Sequence, residues 1–298
     1  MLLLCFLWAL GSLRSDLFPS LIPNLLPPIE RQAVPFALLA AVAALFGVVR
    51  GAKWPLRRQL WASILVGLGL FLAPAIVSSF SSGSVSGLTL VALFSLTPVF
   101  AVVFEPYIGG DVAPRTRGGL PAALTGVVGT LCVIPAGAPN SIRAGGVFGT
   151  AILAAACVAA ANCLAVRVAA ELNGKSIAPL AAIAPFTAVA GMAVLSVLSG
   201  RADWSWDALA PQAAWSTVAE LPGLLLLFWL MRRMSAARMT SRFVLTPLAA
   251  SLIGLVLLRP SVGLRAWLGL LLMAAGAGWL LVSPDDTQES DASPLKLD

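Results

Sequence analysis

The sequence predicts an all-α integral membrane protein of ten transmembrane helices, arranged as two inverted five-helix repeats. Three observations lead there. Mean hydropathy is +0.94 and only 11% of the 298 residues are charged, outside the range of soluble domains. Apolar runs of the length needed to cross a bilayer recur along the chain with short connections between them. The two halves also resemble each other. Leu96-Thr97-Pro98 overlays Leu245-Thr246-Pro247 at an offset of 149, and Pro35-Phe36 overlays Pro185-Phe186 at 150. Gly119 and Gly126 overlay Gly269 and Gly276, again at 150. A near-constant offset over separate segments marks a duplicated chain.

Taken in order, the first run starts at Leu2. It ends anywhere between Leu10 and Ile22, because Arg14, Asp16 and Pro19 interrupt it. It lacks the basic flank and the small-residue cleavage pattern of a signal peptide, so it reads as a retained span. The following runs cover 33–49, 59–79, 87–104 and 118–135, then 146–166, 177–198, 213–231, 240–258 and 264–283. Residues 1–136 form the first repeat and 144–283 the second. Residues 284–298 are polar and acidic, the composition of a disordered cytoplasmic tail.

Lys and Arg in the loops set the orientation. With the N-terminus in the cytoplasm, thirteen of the nineteen fall on the cytoplasmic side and six on the other. Both termini are then inside. Five spans per repeat is an odd number, so the second repeat is inverted relative to the first. The net charge of +6 is spread over these loops and forms no continuous basic face, which excludes a nucleic-acid surface. The chain has no histidine, and Cys5, Cys132, Cys157 and Cys163 fall singly in apolar runs. That spacing offers neither a metal site nor a disulfide framework, and no cofactor is expected.

Two prolines at matched positions free backbone carbonyls that lipid cannot satisfy, which points to a shared central feature at Pro98 and Pro247. Ionisable residues inside spans are the site candidates. Glu220 lies about seven residues into its run, roughly 10 Å from the outer end, with Pro222 close by as a further break. It reads as a proton-accepting carboxylate, as half of a structural ion pair, or as a residue of the outer mouth. Arg14 and Asp16 fall at a similar depth if the first span continues past them, and at the outer interface if Pro19 ends it. Arg242, one turn and a residue before Pro247, either faces inward and binds an anionic group or snorkels to the cytoplasmic surface. Asn162 overlays Ser12 at offset 150 and suits an interhelical hydrogen bond or a site role.

Ten spans in a five-plus-five repeat, with these motifs, resemble the EamA type of the drug/metabolite transporter superfamily over residues 1–283. Trp8 and Gly11 resemble the family's Trp-Gly pair, though two residues intervene here. Pro98 and Pro247 match the proline of the fourth helix in each repeat. Glu105 matches the acidic residue that follows it in the first half, and Gly126 and Gly276 match the closing glycines. Arg259 stands where the second half usually carries an acid, and Arg242 is a charge that most members lack. The resemblance implies a secondary transporter of the inner membrane that exports small organic metabolites or amphipathic compounds by alternating access. Proton coupling is an option, and the carrier would be a monomer or homodimer in the lipid bilayer. The alternative is a non-transporting membrane sensor or partner protein. An enzyme is not expected, because the chain lacks a Ser/His pair, an HExxH motif and a Walker loop, and no catalytic residue is assigned.

Overall fold

The structure is a computed structural model. It describes residues 1–12, 26–54, 57–81, 85–110, 118–134, 139, 141–172, 176–200, 204–258 and 263–283, without the side chains of 10–12 and 258. The described residues are helical with no strand, and eight helices are long and apolar enough to cross a membrane. Two shorter apolar helices join them.

Helix α1 is Leu2–Ser12. Its 11 residues reach only about 16 Å, short of a ~30 Å hydrocarbon core. Arg14 and Asp16, and the end of that run, lie outside the described residues, as does the acidic tail. Helix α2 is Pro28–Val49, with Pro28 in the first turn, where its missing N–H has no helical partner to lose. Helix α3 is Arg57–Phe80 and α4 is Gly87–Ile108, the latter interrupted by a turn at Ser95 and Leu96. Helix α5 is Gly119–Val133, 15 residues long. Then come α6, Ile142–Glu171, capped by the Ser141 side chain on the Ala144 N–H, and α7, Ala178–Leu198. Helix α8 is Trp206–Met231. Helix α9 has two pieces, Ala236–Thr240 and Arg242–Leu258, and α10 is Leu264–Val282.

The apolar runs locate all of these helices, but several helices extend beyond them. Helix α8 begins at Trp206 rather than 213, and α2 at Pro28 rather than 33, because their first turns carry residues such as Asp207 and Glu30 that a hydropathy reading assigns to loops.

A repeated feature escaped the sequence reading. Helix α3 contains a π-helical turn at Leu68–Leu72, followed by Pro74. Helix α8 contains one at Ser216–Glu220, followed by Pro222, an offset of 148. In each turn the N–H two residues before the proline's successor reaches back five residues, Ala73 to Leu68 and Leu221 to Ser216. The proline has no N–H to continue the ordinary ladder, and the wider turn absorbs that loss.

The contacts are equally paired. Helix α2 packs on α7 and α5 on α10. Helix α6 packs on α4 as α1 packs on α9, α3 on α7 as α8 on α2, and α4 on α5 as α9 on α10. Each relation is reproduced when the halves are exchanged. Small residues allow this proximity. Where Gly126 and Gly129 meet Gly269 and Gly276, a Cβ on Gly276 would sit 2.4 Å from the Gly126 nitrogen, and one on Gly129 2.5 Å from that of Met273. Alanines 151, 154, 155, 159, 161, 165 and 169, with Val158, make α6 the buried spine of the bundle.

Candidate functional site

The breaks in α4 and α9 are both repaired by side chains. In α4, Ser95 Oγ donates to the Ala92 carbonyl and Thr97 Oγ1 to that of Phe94, each at 2.6 Å. In α9, Ser241 Oγ donates to the Arg238 carbonyl at 2.7 Å and Arg242 Nη1 to that of Met239 at 2.9 Å. Freed carbonyls in an apolar interior need such donors. Pro98 and Pro247 are both buried just beyond their breaks.

Arg242 does not snorkel. It is 2% exposed and the largest of the fully buried side chains. Besides Met239, its Nη1 donates to Asn162 Oδ1 at 3.1 Å, while Asn162 Nδ2 donates back to the Val158 carbonyl of α6 at 2.7 Å. Two residues singled out from sequence, 80 positions apart, therefore form one interhelical pair. The guanidinium carbon lies 4.8 Å from the centre of the Phe243 ring and 5.5 Å from that of Trp8. Trp8 in turn packs on Gly223 of α8, where a Cβ would come within 3.0 Å of its indole nitrogen. Thr246, one turn after Arg242, has its hydroxyl buried beside the Cys5 thiol. Trp229 behaves differently. It is exposed under Arg233, 4.5 Å away, as an interfacial tryptophan would be.

Glu220 closes the π-turn of α8, half-buried. Its Oε2 accepts from Ser216 Oγ at 2.6 Å, and Ser216 accepts from Gln212 Nε2 at 3.0 Å. It lies 14 residues into α8, about 21 Å from the helix start, because the helix begins earlier than its apolar run. One turn on is Gly223, so Glu220 and Trp8 occupy neighbouring levels of the same interior. Pro222, just after the π-turn, is exposed.

Sequence reasoning passed over two buried carboxylates. Glu30, fully buried in the first turn of α2, accepts from Ser196 Oγ of α7 at 2.5 Å. Glu105, noticed only through the family resemblance, lies in α4, and its Oε1 accepts from the Ala237 N–H at 2.6 Å. The Ser235 side chain caps the same short helix. The polar spacing of Ser216 and Glu220, four residues apart, was a legible signal; Glu30 was not, because its run begins after it. Ser78, near the end of α3, accepts from Gln32 Nε2 of α2 at 3.2 Å. An apolar groove of about 500 Å³ runs between α2 and α7, lined by alanines with Trp54 and Phe186; it contains no polar group to orient a ligand. No cluster of potential metal ligands occurs among the described residues.

No family model matches the chain, and no curated protein does. Its fold is similar to that of a protein of known crystal structure whose description gives no function. The TM-score is 0.70 over 94% of this chain and 93% of the other, at 16% identity. That likeness concerns the fold alone.

Proposed function

We propose that the chain is a secondary transporter of small organic metabolites or amphipathic compounds, built from ten transmembrane helices in two inverted five-helix repeats. The cytoplasmic membrane, with both termini inside, is its place, and the two repeats rock about a central site between the breaks of α4 and α9. Export is the direction that the EamA-like motifs favour. The observation that carries this reading is the broken helix α9 with a charged side chain held in the bundle interior, within contacts that repeat when the halves are exchanged. Discontinuous helices placing polar groups at the repeat interface are how such carriers build a site. The likeness of fold to a solved protein is compatible with it and adds no substrate.

Reconstitution into proteoliposomes tests the proposal, using tracer amino acids, nucleosides and cationic dyes with and without a pH gradient. Uptake of any class above protein-free vesicles supports a carrier. Absence of uptake across the panel favours the sensor or partner reading. Glu220, the half-buried carboxylate on the π-turn, is the group through which a pH gradient would act. Glu220→Gln is expected to abolish stimulation by the gradient while leaving downhill exchange within about threefold, as removal of a proton-coupling group should. Unchanged stimulation in that variant would make Glu220 a helix-pairing residue.

A further inference from the structure

Arg242 is a buried cation without an anion. Its hydrogen bonds go to two neutral oxygens, Asn162 Oδ1 and the Met239 carbonyl, and both come from Nη1. Nε is fully buried with no hydrogen-bond partner, and Nη2 makes none among the described residues. No carboxylate lies within ion-pair distance of it among those residues. The carboxylate of Glu105 is engaged with the Ala237 N–H, that of Glu220 with Ser216 and that of Glu30 with Ser196. Lone buried charges are costly, and proteins neutralise them with a partner or with a ligand.

The unused part of the guanidinium has a defined shape. Nε and Nη2 form one edge of a planar fork whose N–H groups point in parallel, the spacing that binds two oxygens of a carboxylate or phosphate at once. The opposite corner is anchored by Asn162 and by the carbonyl freed at the break, so the fork is held in place before any ligand arrives. Beside it stand the Trp8 and Phe243 rings. An oxyanion with an apolar body would find a charge, two donors and ring surface together.

We propose that Arg242 is the recognition residue for an oxyanionic group, carboxylate or phosphate, on the transported solute. This rests on the carrier reading and names the substrate class for it. The Nε–Nη2 edge receives the oxyanion, and the aromatic neighbours receive its apolar portion. When the solute leaves, the lone charge returns, and the empty site is the less stable state.

The test uses the purified full chain, wild type, Arg242→Met and Arg242→Lys. Melting is followed by intrinsic tryptophan fluorescence with benzoate against benzamide, indole-3-acetate against its amide, and glycerol phosphate against glycerol. The same solutes are then assayed for uptake in phosphatidylcholine vesicles with and without phosphatidylglycerol. The expected result is that at least one anion raises the wild-type midpoint, while its neutral twin does not. Arg242→Met, relieved of a lone charge, should melt at or above the unliganded wild type and ignore the anions. Arg242→Lys keeps the charge but loses the fork, and anion uptake should fall by about tenfold, against roughly 100-fold in Arg242→Met.

Neutral twins carried as well as the anions, with Arg242→Met uptake intact, would overturn the proposal and leave the carrier standing. An Arg242→Met protein that melts far below wild type, with no anion-specific shift in wild type or Arg242→Lys, would also overturn it and make the residue a clamp on the α9 break. A shift produced by phosphatidylglycerol alone would assign the fork to a lipid headgroup and equally end the solute reading. An Arg242-dependent shift by a soluble anion without any uptake would keep the oxyanion site and remove the carrier.

Discussion

Gly276→Ala is expected to cost the protein about 3 kcal/mol or more of stability and to deplete the monodisperse folded fraction. The added methyl carbon would lie 2.4 Å from the Gly126 nitrogen and 2.6 Å from the Ala122 carbonyl oxygen. Both are backbone atoms, so no side-chain rotation can make room and α5 must move away from α10. In a bilayer that separation meets little opposition, because lipid is as apolar as the helix face it would cover. Close backbone packing is then the main attraction lost. Gly278→Ala is the control. It stands two residues away on the same helix with nothing within 4 Å, and should be neutral or gain up to about 1 kcal/mol from helix propensity. Thermal unfolding in mild detergent compares the two, and equal midpoints would refute the tight seam between the helices.

Glu105→Ala is expected to be the largest of the polar losses, about 2–3 kcal/mol, since it strands a buried N–H. Glu105 is 4% exposed, and its carboxylate bonds to the Ala237 N–H in the first turn of the short opening piece of α9. A carboxylate there also complements the positive end of the helix. Arg238, in the same piece, donates to the Ser283 carbonyl after α10, and Arg167 Nη1 of α6 donates to the Ile108 carbonyl at the end of α4 at 3.3 Å. One end of the bundle is thereby tied together across the halves. Glu105→Gln retains an acceptor and should lose less than half as much. Cys163 reports on the closure locally. Its thiol is buried in α6 and donates to the Ala101 carbonyl, one turn before Glu105, at 3.7 Å. With the other cysteines replaced by serine, Cys163 should react with a maleimide at least about tenfold faster in Glu105→Ala than in wild type, as a buried thiol becomes reactive only when exposed. Equal rates would show that Glu105 does not hold this end shut.

Much of the fold was legible because the bilayer imposes it. A chain that crosses lipid must satisfy its backbone within helices, so every long apolar run had to become one. Proline positions were equally informative, since a missing N–H perturbs a helix wherever it falls. Pro98 and Pro247 announced breaks, although the turn in α9 comes at Ser241, earlier relative to its proline than the one at Ser95 and Leu96 in α4. Pro74 and Pro222 carried the same message at offset 148; Pro222 was read as a break by itself, and its pairing with Pro74 was missed because the residues around the two do not match.

The sequence by itself determined where the helices lie and that Arg242, Asn162 and Glu220 sit within them. It also placed the matched glycines of α5 and α10 in register. Only the tertiary structure decided which polar groups meet. Arg242 pairs with Asn162 at a separation of 80 residues, Glu105 with Ala237 at 132 and Glu30 with Ser196 at 166. In a soluble helix the apolar stripe reveals the inward face. Here lipid and bundle interior are both apolar, so hydropathy does not say how each helix is rotated about its axis. That rotation comes from close packing of glycine and alanine against neighbouring backbones, and it turns the arginine inward rather than letting it reach the surface.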